Sequence, residues 1–284
     1  MDSTRPVVLI TGTSSGIGLE TAVAAARAGH QVIATMRDPG RDAALRAAAE
    51  AAGVADRVEV GRLDVTDPAS VAACVSAVVT DHGRLDALVN NAGAGHVGTL
   101  EIDGVAKARE VMEVNYFGVL AVTEAALPHL RAAKGRVVTV SSVGGVVGQP
   151  FNEAYCAAKF AVEGFMESLH PVAAAVGVAV VLVEPGAVAS EFVRNVGAGG
   201  PLEERAAAAG PYAPAMVAYL DRTANAFASA QTAAEAAAVV VAALTAERPA
   251  LRIQTSEAAA AFVGAKLADL DGGRITTMTA GWIA

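Results

Sequence analysis

Cysteine is scarce in this chain, with only Cys74 and Cys156 among 284 residues. Two scattered thiols exclude a disulfide framework and a cysteine-built metal site, and a reduced, cytoplasmic setting is expected. No His/Asp/Glu cluster has metal-ligand spacing either, so no metal is implied. Basic clusters are also missing: 21 Lys and Arg stand against 29 Asp and Glu, for a net charge of −8. Nothing offers a footprint for a phosphate backbone, which argues against a nucleic-acid partner. The longest apolar run beside a helix, 172–183, is about a dozen residues broken by Gly177, short of the ~20 that span a bilayer. The opening MDSTRPVVLITG lacks the apolar stretch and cleavage pattern of a secretory leader. A soluble protein without a membrane span is expected. Internal repeats and low-complexity linkers are absent.

What the chain does have is apolar residues, 54% of the total, ample for a buried core. Its length suits one domain over 1–284. Short β-branched runs at 7–12, 31–37, 57–65, 85–93, 136–142, 178–186 and 251–256 alternate with alanine-rich, helix-length segments. The runs are almost continuously apolar, as strands are when helices cover both sheet faces. The alternation predicts an α/β fold, a doubly wound parallel sheet of Rossmann type with about seven strands. The first helix, 16–29, should close at Gly29. Glycines and prolines between Gly197 and Pro214 break the rhythm, so 187–231 is read as an insertion with no clear strand at the carboxyl ends of the strands. A helix at 232–247 follows, then a C-terminal extension over 251–284 that holds the last strand and a helix.

TGTSSGIG at 11–18 follows a strand and opens a helix, the context of a dinucleotide site. Gly12 allows the tight turn, Gly16 the approach of a pyrophosphate and Gly18 close packing. The helix start supplies free N–H groups and a favourable dipole. Gly12 and Gly16 are four apart, so the spacing is not GxGxxG. Tyr155 and Lys159 in YCAAK are also four apart, one helical turn on the same face. The ammonium is expected to lower the phenol's pKa from about 10, readying it for proton exchange with a substrate oxygen. Ser142 lies thirteen residues upstream.

TGTSSGIG, NNAG (90–93), Asn115 in VMEVNYFG, SSVGG (141–145), YCAAK and EPGAV (184–188) occur in the order and spacing of short-chain dehydrogenases/reductases. Over roughly residues 5–190 the chain resembles that family, most of all its 17β-hydroxysteroid and retinol dehydrogenase branch. The resemblance implies Tyr155 as acid/base, Lys159 as its partner and a ligand of the nicotinamide ribose, and Ser142 as donor to the substrate oxygen. It implies that Asn115, on a helix, holds a relay water. For the cofactor it implies the loop Gly12, Ser14, Ser15, Gly16, Ile17 and Gly18, then Asp64 and Val65 at the adenine. Asn91, Ala92 and Gly93 would line the ribose, and Pro185, Gly186, Val188 and Ser190 would border the nicotinamide.

An NAD-selective site usually carries an acidic residue at the end of the second strand. Met36 and then Arg37 stand there, and a guanidinium suits a 2′-phosphate, so NADP(H) is expected over NAD(H). Asp38 complicates this by partly neutralising Arg37. Of the five histidines, His96 follows NNAGAG and is a candidate pocket residue; the other four are read as structural. Val143, Gly144, Gly145, Val147, Gln149, Phe151, Ala187, Phe192 and Val193 make a mostly apolar candidate wall, suited to a bulky hydrophobic ketone or alcohol. Tyr212, Met216, Tyr219 and Phe227 either close over the substrate or pack the insertion onto the core. The leading expectation is an NADP(H)-dependent carbonyl reductase or alcohol dehydrogenase. A redox-neutral epimerase or dehydratase and a non-catalytic dinucleotide sensor are the alternatives. Helices at about 107–131 and 155–175 would pair copies into a homodimer or homotetramer.

Overall fold

The computed structural model describes residues 5–189, 202–228 and 230–284. Its strands are β1 (Val7–Thr11), β2 (Gln31–Met36), β3 (Val58–Arg62), β4 (Ala87–Asn90), β5 (Arg136–Val140), β6 (Ala179–Glu184), β7 (Val188–Ala189), β8 (Gln231–Thr232) and β9 (Arg252–Gln254). Seven of them form one sheet in the order β3-β2-β1-β4-β5-β6-β9, every neighbouring pair parallel. The expected strands are all present, with trimmed ends. The ladder of β3 ends at Arg62 and that of β4 at Asn90.

The first six helices are α1 (Gly16–Arg27), α2 (Ala43–Ala51), α3 (Pro68–His82), α4 (Leu100–Met112), α5 (Gly118–Ala133) and α6 (Glu153–Ala174). Side chains alternate along each strand, so one sequence fills two cores. Val8 and Ile10 face α1, α2 and the helix Ala233–Thr245. Val7 and Leu9 face α3, α5 and α6. Both faces are buried, which is why the strands show no polar alternation. Helix α1 ends where expected: Gly29 takes a left-handed φ of +96°, and the His30 N–H closes back on the Ala25 carbonyl at 3.1 Å.

The segment read as an irregular insertion is helical in its described part, with helices Leu202–Ala208 and Ala213–Ala228. Its glycines and prolines punctuate the helices instead of excluding them. Pro211 begins a short 3₁₀ turn, Gly210–Tyr212, and Pro214 lies in the first turn of the longer helix, where a missing N–H does no harm. Entry and exit are joined by β7 and β8, Val188 pairing with Gln231, so two short strands escaped the sequence reading. A last helix, Gly273–Ala280, was also unforeseen. Trp282 beyond it stacks on Phe262, with ring centres 5.8 Å apart, and lies under the Arg222 guanidinium at 4.3 Å.

Candidate active site

Strand order reverses between β1 and β4, so their carboxyl ends open a crevice, the place where such sheets take ligands. The first turn after β1 is built by close approach. Gly12 has φ +72°, and a Cβ there would stand 2.8 Å from the Ala92 Cα; Gly16 has φ +59°. A Cβ on Gly18 would overlap the Gly12 carbonyl oxygen and the Asn91 amide. That amide donates to the Thr11 and Gly12 carbonyls at 2.9 and 3.0 Å. Thr11 Oγ1 in turn accepts from the N–H groups of Asn91 (3.0 Å) and Ala92 (2.9 Å). The Asn91 side chain thus ties two loops together, leaving Ala92 and Gly93 at the cleft. Ser15 caps α1 by position but makes no side-chain capping bond, so the helix start keeps its donors. Ser14 and Ser15 stay partly exposed beside it, while Ile17 packs under the sheet.

At the end of β2, Met36 is buried and Arg37 is exposed. The Asp38 carboxylate beside it accepts the Gly40 N–H at 2.9 Å and caps the turn Pro39–Arg41. Asp64 lies beyond β3, and one carboxylate oxygen accepts from the Thr66 N–H (3.0 Å) and hydroxyl (2.7 Å). Those bonds hold its carboxyl below the ordinary range, with Arg37 and Arg62 adding to the effect. Val65, beside it, packs against Gly118, where a Cβ would meet its Cγ2 at 2.7 Å.

Asn115 sits in a single π turn, Glu113–Phe117, between α4 and α5, a local widening common at functional sites. It is fully buried. Its amide donates to the Ala94 and Val111 carbonyls, both at 2.9 Å, and its oxygen accepts the Ala94 N–H at 3.1 Å. The side chain is therefore a brace for the loop after β4, with both amide hydrogens engaged by backbone carbonyls. Gly93 makes room for it: a Cβ there would stand 2.8 Å from Asn115 Oδ1 and 3.8 Å from Lys159 Nζ.

Ser142 leaves β5 in an extended conformation, and its Oγ accepts the Gly144 N–H at 3.0 Å. The Tyr155 phenol lies within reach of that hydroxyl, which works to lower its pKa. Tyr155 is half-buried and Lys159 buried near the start of α6. The spacing does bring them together, Lys159 Nζ lying 5.9 Å from the Tyr155 ring centre.

The expected lowering of the phenol pKa is not found. Burial pushes Tyr155 up to about 12, with the Ser142 bond working against it. Burial also draws Lys159 down to about 8, opposed by the Glu163 carboxylate. Loss of water penalises each charged form, and the ammonium donates to the Val140 carbonyl at 3.0 Å.

Pro185 follows β6, its carbonyl accepting the Val143 N–H at 2.9 Å. Gly186 and Ala187 are half-buried beside it, and Val188 opens β7. Ser190, Phe192 and Val193 lie outside the described residues. Of the candidate wall, Val147 and Phe151 are packed inside. Phe151 meets Tyr219 at 5.8 Å between ring centres, and Met216 joins the same cluster. The Tyr219 hydroxyl accepts from Asn152 at 2.6 Å, three residues before Tyr155. These insertion residues pack onto the site's edge, and Tyr212 donates to Glu101 at 2.6 Å. Gln149 keeps its amide beside Ser142: a Cβ on Gly144 would lie 3.4 Å from Gln149 Nε2 and 3.3 Å from Ser142 Oγ. His96 is tied to Asp103 at 3.1 Å. Among the described residues no cluster is placed to hold a metal ion, and no helix is long and apolar enough to cross a membrane.

A phosphate-binding turn at the switch point and a Ser–Tyr–Lys group across the cleft define a dinucleotide-dependent oxidoreductase architecture. The short chain dehydrogenase model matches residues 6–200, and the chain belongs to that family of oxidoreductases. It is 47% identical over 190 residues to retinol dehydrogenase 8 of Bos taurus, covering 65% of this chain and 60% of that protein's length. It is 40% identical over 279 residues to human 17-beta-hydroxysteroid dehydrogenase type 1, covering 96% of this chain and 84% of the relative. Among solved structures, a Burkholderia phymatum short chain dehydrogenase/reductase in complex with NAD superposes with a TM-score of 0.79. That match is 25% identical and covers 95% of this chain and 96% of the other.

Proposed function

We propose that the protein is an NADP(H)-dependent oxidoreductase that interconverts a hydrophobic ketone or aldehyde with the corresponding alcohol. One observation carries the reading: the Ser142 hydroxyl acts on the Tyr155 phenol and Lys159 Nζ lies 5.9 Å from the Tyr155 ring centre, all at the switch-point cleft. The residues fit a dinucleotide. The loop after β1 is held open by glycines whose Cβ atoms would fill it, and α1 begins with its donors uncapped. When bound, the nicotinamide supplies or accepts the hydride. In reduction Ser142 donates to the substrate oxygen and supports its developing charge, while Tyr155 hands over its proton. Lys159 stabilises the phenolate that remains. Asn115 keeps the loop at Gly93 and Ala94 in place beside them; a relay water would be held by its backbone.

Preference for NADP(H) rests on Arg37, which is exposed at the end of β2 and makes no ion pair or hydrogen bond among the described residues, Asp64 acting on it only at longer range. A 2′-phosphate is the partner such a guanidinium suits. The apolar lining and the retinol and 17-beta-hydroxysteroid relatives accord with a bulky apolar substrate. Assembly as a homodimer is part of the proposal. A groove of about 580 Å³ between α5 and α6, with Leu120, Leu127, Phe165 and Leu169 in its walls, continues into Val172 and Val176, both exposed. A cytoplasmic location completes the reading.

NADPH and NADH consumption against a panel of hydrophobic ketones and aldehydes tests it, with Tyr155→Phe alongside. Turnover on one compound class that falls at least about a thousandfold in Tyr155→Phe, with dinucleotide binding kept, is the expected result. Substantial residual turnover would remove the role assigned to Tyr155. Turnover without net NADPH oxidation would point to redox-neutral chemistry.

A further inference from the structure

Beneath the proposed proton donor, α6 carries more charge than the reaction uses. Tyr155, Lys159, Glu163 and Glu167 follow one another at four-residue steps, so they line one face of the helix. Glu167 is exposed, but Glu163 is only 5% exposed, unusual for a carboxylate without a task. Arg252 on β9 reaches across to it, Nε to Glu163 Oε2 at 2.9 Å, and also pairs with Glu167. Glu184 on β6 lies 3.5 Å from the same Nε and accepts from Gln254 at 2.9 Å.

The other oxygen of Glu163 has no part in these ion pairs. Glu163 Oε1 and Ser141 Oγ are both buried without a hydrogen bond of normal geometry. The two side chains flank the spot where a Gly145 side chain would stand, Ser141 through Oγ at 2.8 Å and Glu163 through Cγ at 2.9 Å, with the Lys159 carbonyl at 3.1 Å. Ser141 adjoins Val140, whose carbonyl receives the Lys159 ammonium. On α4 and the π turn, Arg109, Glu110 and Glu113 are exposed, and Asn115 is neutral. Glu163 is the charge that supports the ammonium.

We propose that Glu163 is a positioning residue, its buried carboxylate anchored by Arg252 and facing Ser141 so that Lys159 stays an ammonium inside the protein. The signs then alternate along the array: developing phenolate, ammonium, carboxylate, guanidinium. Burial of Glu163 itself opposes the arrangement by pushing its carboxyl up, and the Glu184 charge adds to that, while Ser141 and Arg252 draw it down. This inference rests on reading Lys159 as the cation of the Tyr155 acid–base pair.

The test needs neither substrate nor dinucleotide. The sequence has four lysines, Lys107, Lys134, Lys159 and Lys266, and Lys159 alone is buried, so its ¹³Cε resonance in lysine-labelled protein is separable by its titration. In Glu163→Gln the Lys159 midpoint should fall by about one pH unit, a tenfold loss in the ammonium-to-amine ratio. Glu163→Asp, which keeps the charge, should restore most of it. Glu184→Gln, which disturbs the same Arg252 cluster, should not lower it. An unmoved midpoint in Glu163→Gln overturns the proposal, whatever happens to stability. Should Glu163→Gln fail to fold, the wild-type resonance decides. A second, smaller inflection is expected as Glu163 protonates, above the ordinary carboxylate range, and its absence overturns the proposal. Retained turnover in Tyr155→Phe would instead sink the functional reading and leave the Lys159 titration standing.

Discussion

Replacing Gly12 with alanine tests the cradle where its geometry is tightest. Two separate costs are built into the position. A left-handed backbone costs an L-residue about 1–2 kcal/mol, and Gly12 has φ +72°. The new methyl would also stand 2.8 Å from the Ala92 Cα and 3.1 Å from its nitrogen, backbone atoms that cannot swing aside. Relieving that overlap means separating the two loops and loosening the Thr11 hydroxyl from the Asn91 and Ala92 N–H groups. Overpacking of this kind adds about 1–3 kcal/mol. The sum, about 2–5 kcal/mol, is a large share of an ordinary domain's stability. Gly29→Ala isolates the first cost, because Gly29 also has positive φ but no atom within 4 Å of its Cβ site. Denaturant unfolding of both variants, with dinucleotide titrations, should place Gly12→Ala at least about 1 kcal/mol below Gly29→Ala. It should also show weakened dinucleotide binding in the first alone. Equal losses and equal affinities would refute the close approach as the reason for a glycine.

Arg37→Ala should raise the Kd for NADPH about tenfold or more and leave NADH nearly unchanged, read by fluorescence titration; equal effects would remove Arg37 from the 2′-phosphate. Lys159→Met should abolish turnover yet stabilise the fold at pH 7 by about 1–3 kcal/mol, since a buried ammonium is a net burden. The sign is set by burial: Lys159 is drawn down to about 8 in the folded protein, against about 10.4 when unfolded. The folded state therefore binds this proton more weakly. The burden is full below pH 8, shrinks as pH rises through the interval and is gone above about 10.4. Denaturation at pH 7 and 10.5 checks this; an advantage that persists at the higher pH would contradict it.

Much of this was legible because repetition and spacing carry it. Seven apolar runs separated by helix-length segments specify a parallel sheet, and the glycine turn after the first run locates its crevice. Tyr155 and Lys159 announce themselves by a four-residue step that only a helix turns into proximity. Pro211 and Pro214 misled, because a proline at a helix start looks in sequence like one that forbids a helix. The π turn at Asn115 was hidden for another reason: it follows from a side chain that must satisfy Ala94, twenty-one residues earlier.

The electrostatics were the least legible part, and the physics explains why. A four-residue step says that an ammonium and a phenol are neighbours, but not how much water either retains. Here both lose it, so Tyr155 moves up and Lys159 moves down, and proximity alone does not make the charged pair. Each ion then needs a partner from outside the pair. Ser142 serves the phenolate from the end of β5, and its position in the sequence already marked it. Glu163 serves the ammonium only because Arg252, eighty-nine residues later, reaches back to hold its carboxylate. No local pattern reports that contact. The proposed proton donor is therefore readable from one helix, while the state of its lysine depends on where the far edge of the sheet brings an arginine.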